Sequence, residues 1–226
     1  MPVKTDKYLL SEGDSLRKIK YAQIRKQIPA LILIAIALAL NAIFPGKNLY
    51  AWALALALAG IAWYLFIGLC HRYKQRIPLP PERGLLSPIQ GRISSIRRSE
   101  DITTLNIRKI LLDSVEIRCP HDTCRLEDEN LYQESDSGRI SYRFSFRNIR
   151  WFKDAEFSAG NIIGMITGSG SCTVSLPGNP GLTVREKDSV DAGDPLIEDL
   201  GEGSSGNETE RIIEVMPDIG TEEDKI

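Results

Sequence analysis

Two long runs without a charged residue, 28–44 and 49–70, constrain this chain of 226 residues more than any other feature. A helix needs about 20 apolar residues to cross a bilayer. The second run reaches that length and the first falls slightly short of it. Both are rich in Ala and Leu on every face, which disfavours a soluble helical hairpin with one polar face. Because only residues 45–48 separate the runs, the sequence predicts a tight transmembrane helical hairpin over 28–70.

The charges around this hairpin predict its orientation. Basic residues flank both outer ends, whereas the short connection carries only Lys47. Loops rich in Lys and Arg stay in the cytoplasm, so we expect both termini there. The net charge of −2 gives no reason to expect a nucleic-acid partner.

Residues 1–27 are predicted to be a basic cytoplasmic segment. Part of it fits an amphipathic helix, because four apolar residues fall on one side, namely Leu16, Ile19, Ala22 and Ile24. One interpretation is a helix that lies on an anionic membrane surface. The other, which we favour, is a solvated flank that only sets topology.

The two other polar segments are predicted to be a linker and a tail. Residues 71–84 are basic and rich in proline, which forbids a helix and stiffens the chain. This linker would hold the next domain close to the lipid headgroups, where its basic residues attract anionic lipid or act only as topology signals. Residues 201–226 are rich in Gly, Ser and acidic residues, which is typical of a disordered tail.

Residues 85–200 are predicted to form a mainly β domain. Apolar and polar residues alternate cleanly from 138 onwards, with Ile140, Tyr142, Phe144 and Phe146 on one face. Turns are expected at 88–91 and 191–194. The polar stretch 128–138 is predicted to be a turn or loop.

The stretch 160–177 raises the functional question. It contains two Gly-Ser pairs, Gly168-Ser169 and Gly170-Ser171, between two alternating apolar runs. One interpretation is a tight turn between strands, since both residue types form turns. The other is a chemical role for one of the two serines.

Two segments are similar to motifs of barrel-sandwich domains of the lipoyl and biotinyl type. They are Ser87–Ile93, SPIQGRI, and 184–200, VREKDSVDAGDPLIEDL. A carrier domain of that type also needs a lysine at a hairpin tip. No such lysine is present, so a swinging-arm carrier is not expected.

A longer resemblance, over most of residues 28–200, is to the short, membrane-anchored bacterial phosphatidylserine decarboxylases. Its motifs are Arg76-Ile77-Pro78, the segment 84–93 (GLLSPIQGRI), the segment 115–124 (VEIRCPHDTC) and the segment 154–177. The resemblance implies the bacterial inner membrane, a phospholipid substrate such as phosphatidylserine or another anionic lipid, and self-cleavage at a Gly-Ser bond. The new chain would begin with a pyruvoyl group made from the serine, which serves as electron sink for decarboxylation.

The family's catalytic positions are only partly kept. Gln90 stands at the family's aspartate, Cys124 at its histidine and Gly170 at its cleaved serine. The candidate residues for chemistry are therefore Ser169 and Ser171, with His121 as a nearby proton-handling group. The first hypothesis is a non-catalytic relative that binds lipid or a protein partner and needs no cofactor. The second is an active pyruvoyl-dependent decarboxylase that makes phosphatidylethanolamine.

A third hypothesis is a metal site. Cys119, His121 and Cys124 form a C-x-H-x-x-C cluster whose thiolates and imidazole suit zinc. Cys172 is the candidate for a fourth ligand. Strand alternation places Cys124 on the other face from the first two residues, so we expect no metal. The competing interpretation is that Cys119 and Cys124 are small, half-buried residues of the core.

Overall fold

The computed structural model describes residues 5–43, 49–74, 84–135 and 138–197. Its first elements are helix α1, Thr5–Ile43, and helix α2, Leu49–Cys70. By length and composition alone, each helix is long and apolar enough to cross a membrane. The predicted pair of apolar N-terminal helices is therefore confirmed.

The two helices pack closely through small residues. A Cβ atom on Gly60 would lie 2.7 Å from Cγ1 of Ile34 and 3.0 Å from the carbonyl oxygen of Ala30. Such small residues let helix backbones approach, as is common between membrane helices. One polar bond adds to the contact, since Nε2 of Gln27 donates to the carbonyl of Tyr64 over 3.3 Å.

Helix α1 extends well beyond the apolar run, and its first part lies on the β domain. Ile19 is fully buried in a small apolar cluster whose other buried members are Val115, Phe152, Ile162 and Met165. Leu16 and Ala22 pack against this cluster, whereas Ile24 is 57% exposed. Three of the four residues expected on the amphipathic face of 1–27 are thus covered by protein, and Ile24 is not. The expected boundary at residue 27 falls inside one continuous helix.

The rest of the described chain is a mainly β domain of antiparallel sheets, as predicted. Its strands are β1 (Leu85–Leu86), β2 (Gly91–Arg98), β3 (Ile102–Lys109), β4 (Glu116–Arg118), β5 (Cys124–Glu127), β6 (Asn130–Ser135), β7 (Gly138–Phe146), β8 (Ile149–Trp151), β9 (Ile162–Ile166), β10 (Gly170–Pro177), β11 (Ser189–Val190) and β12 (Pro195–Ile197). They form a seven-stranded sheet in the order β11-β2-β3-β10-β7-β6-β5, a three-stranded sheet β4-β9-β8 and the pair β1-β12.

Strand β10 lies between β3 and β7 in the large sheet, so the stretch 160–177 is central to the domain. One face of the sheet carries the core, to which β10 contributes Cys172, Val174 and Leu176. The other face is polar; on it Ser171 lies between Arg108 of β3 and Ser145 of β7. Alternation along the strands produces the two faces.

The polar stretch 128–138 was predicted to be a turn or loop, which holds for the turn at 128–129 but is wrong for residues 130–135. Residues 130–135 form β6, which pairs with β5 on one side and β7 on the other. Leu131 and Gln133 are buried while the residues between them are more exposed. A strand with one polar face and a single apolar residue on its inner face gives only a weak sequence signal.

Two other β predictions hold. In β7, Ile140 and Tyr142 are buried on the core face, with Phe144 and Phe146 packed beside them. The turn at 191–194 joins β11 and β12, and the N–H of Asp194 donates to the carbonyl of Asp191 over 3.0 Å. The short connection 45–48, most of the linker (75–83) and the acidic tail (201–226) lie outside the described residues.

Candidate functional site

The Gly168-Ser169 pair forms a turn between β9 and β10. Gly168 has a φ of +107°, a conformation that favours glycine. Ser169 is exposed at this turn. The turn is placed by two backbone bonds, from the N–H of Ile166 to the carbonyl of Val115 (2.7 Å) and from the N–H of Thr167 to the carbonyl of Asn148 (3.2 Å). These bonds account for the turn without any chemical role.

Gly170 stands where the family's cleaved serine is expected, and its surroundings leave no room for a side chain. A Cβ atom here would overlap the ring of Phe146 and the backbone oxygen of Ser145. Because the second of these is backbone, the strand itself would have to shift. A serine in the family's register is therefore sterically excluded.

The Gly170-Ser171 pair is held inside the sheet. Ser171 pairs with Arg108 on one side and Ser145 on the other, as residues of three adjacent strands. Self-cleavage requires the serine hydroxyl to attack the preceding carbonyl with a base beside it. The backbone at Gly170 and Ser171 is instead paired on both sides in a regular antiparallel ladder.

His121 lies far from the Gly168-Ser169 turn. It follows β4 at the end where Arg118 pairs with Ile162, whereas the turn follows the opposite end of β9, next to Val115. The five residues of β9 separate the two ends by roughly 13 Å at ~3.3 Å per residue. The Nδ1 atom of His121 is 3.0 Å from the hydroxyl of Thr123. We find no geometry by which this histidine assists Ser169.

Gln90, at the position of the family's aspartate, is held by hydrogen bonds at both ends of its amide. Its Nε2 donates to Asp191 over 3.0 Å, and its Oε1 accepts from the N–H of Ser114 over 2.6 Å. Asp191 also forms an ion pair with Lys74, at 2.6 Å. The glutamine thus ties the closing turn of the β domain to the connection between β3 and β4, and Asp191 ties the same turn to Lys74 in the segment that leaves α2. The residues gathered here and at the Gly-Ser pairs do not fit formation of a pyruvoyl group.

Two opposite charges, Glu116 and Arg118, are buried in β4, each 1% exposed. The guanidinium of Arg118 donates from NH1 to the carbonyl of Gly160 (2.7 Å) and from NH2 to the carbonyl of Lys74 (3.0 Å). Glu116 accepts from the N–H of Lys74 over 3.2 Å. Burial raises the pKa of Glu116, which the charge of Arg118 partly opposes. These two residues therefore link strand β4 to Lys74, in the segment that follows α2.

The cysteines of the proposed metal cluster are core residues. Cys119 and Cys124 are buried, and the thiol of Cys119 is 3.1 Å from the carbonyl of His121. The hydrogen bond with Cys124, together with burial, raises the pKa of Cys119, and burial raises that of Cys172. Within the described residues, no group of three or more His, Cys, Asp or Glu is arranged to hold a metal ion.

A feature that the sequence analysis missed is an apolar loop between β3 and β4, Ile110–Leu112, which we call the 110–112 loop. All three side chains are exposed. Lys109, itself buried, fixes the loop by donating to the carbonyls of Ile110 (3.1 Å) and Asp113 (3.0 Å). The signal in the sequence was a run of three apolar residues at the end of a predicted strand, with Lys109 before the run and Asp113 after it.

The 110–112 loop lies beside the end of α2. The N–H of Val115 donates to the carbonyl of Arg72 over 2.8 Å, and Arg72 is the second residue after the helix. The side chain of Lys109 is near enough to Cys70, the last residue of α2, to interact with it electrostatically. The apolar loop and the exit of the apolar helix therefore share one end of the molecule.

No family model, curated protein or solved structure matches the chain. The arrangement of its own residues is what bears on function.

Proposed function

We propose that this chain is a membrane-anchored, non-catalytic relative of the phosphatidylserine decarboxylases, whose β domain binds lipid at the bacterial inner membrane. In this proposal the two apolar helices cross the membrane as a hairpin with both termini in the cytoplasm. The barrel-sandwich motifs at Ser87–Ile93 and 184–200 belong to the β domain of that family. The lipid is phosphatidylserine or another anionic phospholipid.

The observation that carries the proposal is the 110–112 loop beside the end of α2. If α2 crosses the bilayer, its last residue, Cys70, lies near the headgroups. The hydrogen bond from Val115 to Arg72 and the electrostatic interaction of Lys109 with Cys70 support the same depth for the loop. Exposed apolar side chains at a membrane surface gain free energy by entering the interface. Lipid is therefore favoured over a protein partner at this end of the domain.

The packing of α1 supports a fixed orientation of the domain. The hydroxyl of Ser15 donates to the carbonyl of Ile162 over 3.0 Å, and Ile19 is buried against the β domain. With α1 packed on it and the segment after α2 bonded to it, the domain has two attachments to the hairpin. It would present one end to the bilayer rather than rotate on a linker.

The non-catalytic part of the proposal is supported by the residues at the family's catalytic positions. Gly170 has no room for a serine, and Gln90 has no acidic proton. His121 is at the other end of the β4–β9 ladder from the Gly168-Ser169 turn.

The proposed lipid contact is tested by measuring how deeply residue 111 lies in the bilayer. We expect an environment-sensitive dye on a Leu111→Cys variant of the full chain, reconstituted in phospholipid nanodiscs, to show an apolar environment and strong quenching by shallow brominated lipids. The four native cysteines are buried, so the new thiol is the preferred site of labelling.

The matched control is Leu126→Cys in β5. Leu126 is 36% exposed and Leu111 39% exposed, so the two dyes would behave alike in water. Equal quenching at both positions, or none at Leu111, would contradict the proposal and would favour a protein partner for the loop.

A denaturing gel distinguishes the proposed function from the alternative, an active pyruvoyl-dependent decarboxylase. We expect one band at 25.2 kDa from matured protein. Self-cleavage at Ser169 or Ser171 would instead release a C-terminal fragment of about 6 kDa with a blocked N-terminus. Its appearance in wild type, and its loss in Ser169→Ala or Ser171→Ala, would establish the enzyme and identify the serine.

A further inference from the structure

A cleft of about 540 Å³ opens next to the 110–112 loop. Its lining is made by Arg92 and Ser94 of β2, Ile93 between them, Arg108 of β3, Ile110 of the loop and Lys187. This cleft uses none of the candidate catalytic residues. It combines three cationic side chains with an apolar residue of the 110–112 loop.

The described residues that line the cleft carry positive charges and no negative charge. Arg92 and Arg108 are directly opposite each other in neighbouring antiparallel strands, and both are exposed on the outer face. Like charges in directly opposed positions destabilise a sheet. Lys187 adds a third positive charge, and no carboxylate is among the described residues that line the cleft. A bound anion would remove this repulsion.

The nearest acidic residues along the chain are engaged by backbone N–H groups. Glu186 accepts from the N–H of Ile96 and Asp188 from the N–H of Arg185, each over 2.8 Å. Asp113, on the loop side, accepts from the N–H of Ile110 over 2.7 Å. These carboxylates shape the turns around the cleft.

The cleft is also rigidly built. Lys187 has a φ of +72°, which is uncommon for a residue with a side chain and costs free energy. It is held there from both sides of its backbone. Nε of Arg92 donates to the carbonyl of Lys187, and the N–H of Lys187 donates to the carbonyl of Ile93, both over 2.8 Å. The strained turn brings Lys187 and Arg92 to the same cleft.

We propose that this cleft binds the phosphate group of an anionic phospholipid headgroup, with Arg92, Arg108 and Lys187 as the cationic ligands and Ile110 against the lipid's apolar part. Arginine and lysine are the side chains that recognise phosphate. The lipid source follows from Ile110, because it belongs to both the cleft and the loop beside α2. In this respect the inference rests on the proposed function.

The test uses the full chain with a dye on a Ser94→Cys variant, since Ser94 is exposed and lines the cleft. The protein is placed in nanodiscs of phosphatidylcholine that contain increasing fractions of phosphatidylglycerol. We expect a saturable change of fluorescence. Arg108→Gln and Lys187→Gln should each raise the half-saturating fraction about fivefold, the effect of removing one cation near an anionic surface.

Arg143→Gln is the matched control, because Arg143 is an exposed arginine on the same face of the sheet but outside the cleft. Its half-saturating fraction should stay within about twofold of the unsubstituted protein. Equal losses in Arg108→Gln and Arg143→Gln would overturn the site in favour of diffuse surface charge, and a signal that never saturates would do the same.

Two further arms identify the source of the phosphate. Inorganic phosphate and the water-soluble glycerophosphoglycerol are added to nanodiscs of phosphatidylcholine alone. The proposal predicts much weaker binding of both than of the lipid, and tight binding of either would overturn the assignment to lipid. If the cleft fails these tests but the Leu111 dye is still quenched by lipid, the proposed function stands and only the cleft assignment is lost. An unquenched Leu111 dye would instead remove the proposed function itself.

Discussion

Replacing Arg118 with alanine is expected to lower the free energy of unfolding of the full chain by about 2–6 kcal/mol, because two carbonyls lose a charged donor and each loss costs about 1–3 kcal/mol. The guanidinium donates to the carbonyls of Gly160 and Lys74, and its charge partly opposes the burial that raises the pKa of Glu116. Its removal leaves both carbonyls without these donors and Glu116 without the opposing charge. Chemical denaturation of the full chain in detergent, followed by β-sheet circular dichroism, measures the loss.

Arg125→Ala is the matched control for this experiment. Arg125 is an exposed arginine in β5, so its truncation should change the unfolding free energy by no more than about 0.5 kcal/mol. If Arg118→Ala unfolded at the same denaturant concentration as Arg125→Ala, the hydrogen bonds of Arg118 to the carbonyls of Gly160 and Lys74 would not stabilise the fold, which would contradict the prediction.

Replacing Gly170 with serine introduces the residue that the resemblance to phosphatidylserine decarboxylases expects at that position, and is expected to destabilise the protein rather than activate it. The new side chain would overlap the ring of Phe146 and the backbone oxygen of Ser145, so β7 or β10 must shift. Overpacking of this kind costs about 1–3 kcal/mol and sometimes more. Thermal unfolding should occur at a lower temperature, and a denaturing gel should show no C-terminal fragment.

The control for Gly170→Ser is Gly181→Ser, since a Cβ atom at Gly181 meets nothing within 4 Å. This variant should unfold at the temperature of the wild type. Self-cleavage of Gly170→Ser would contradict the geometric argument and would show that the surrounding residues still support the family's chemistry.

The sequence predicted the elements whose signals are local. Two uncharged runs predicted α1 and α2, because composition alone decides whether a helix is apolar on every face. Strict alternation predicted β7 and its inward residues Ile140 and Tyr142. The polar strand β6 was missed, since its inner face carries only Leu131 and Gln133.

The candidate site was less predictable for a different reason. The Gly168-Ser169 turn has the same local sequence whether or not a base is near it, and the distance to His121 depends on the pairing of β4 with β9. The space at Gly170 depends on Phe146, a residue of another strand. Asp191 was interpreted as a turn residue, yet its carboxylate also binds Lys74 across 117 residues of chain.

By itself, the sequence determined the class of this protein, with two apolar helices followed by a β domain. Composition and periodicity report how much of each face is buried, and that information is carried within a few residues of chain. Only the tertiary structure decided what covers each face. It placed α1 on the β domain, the 110–112 loop beside α2, and Arg92, Arg108 and Lys187 around one cleft. These are contacts between distant residues, which are set by strand register and packing and leave no periodic trace in the chain.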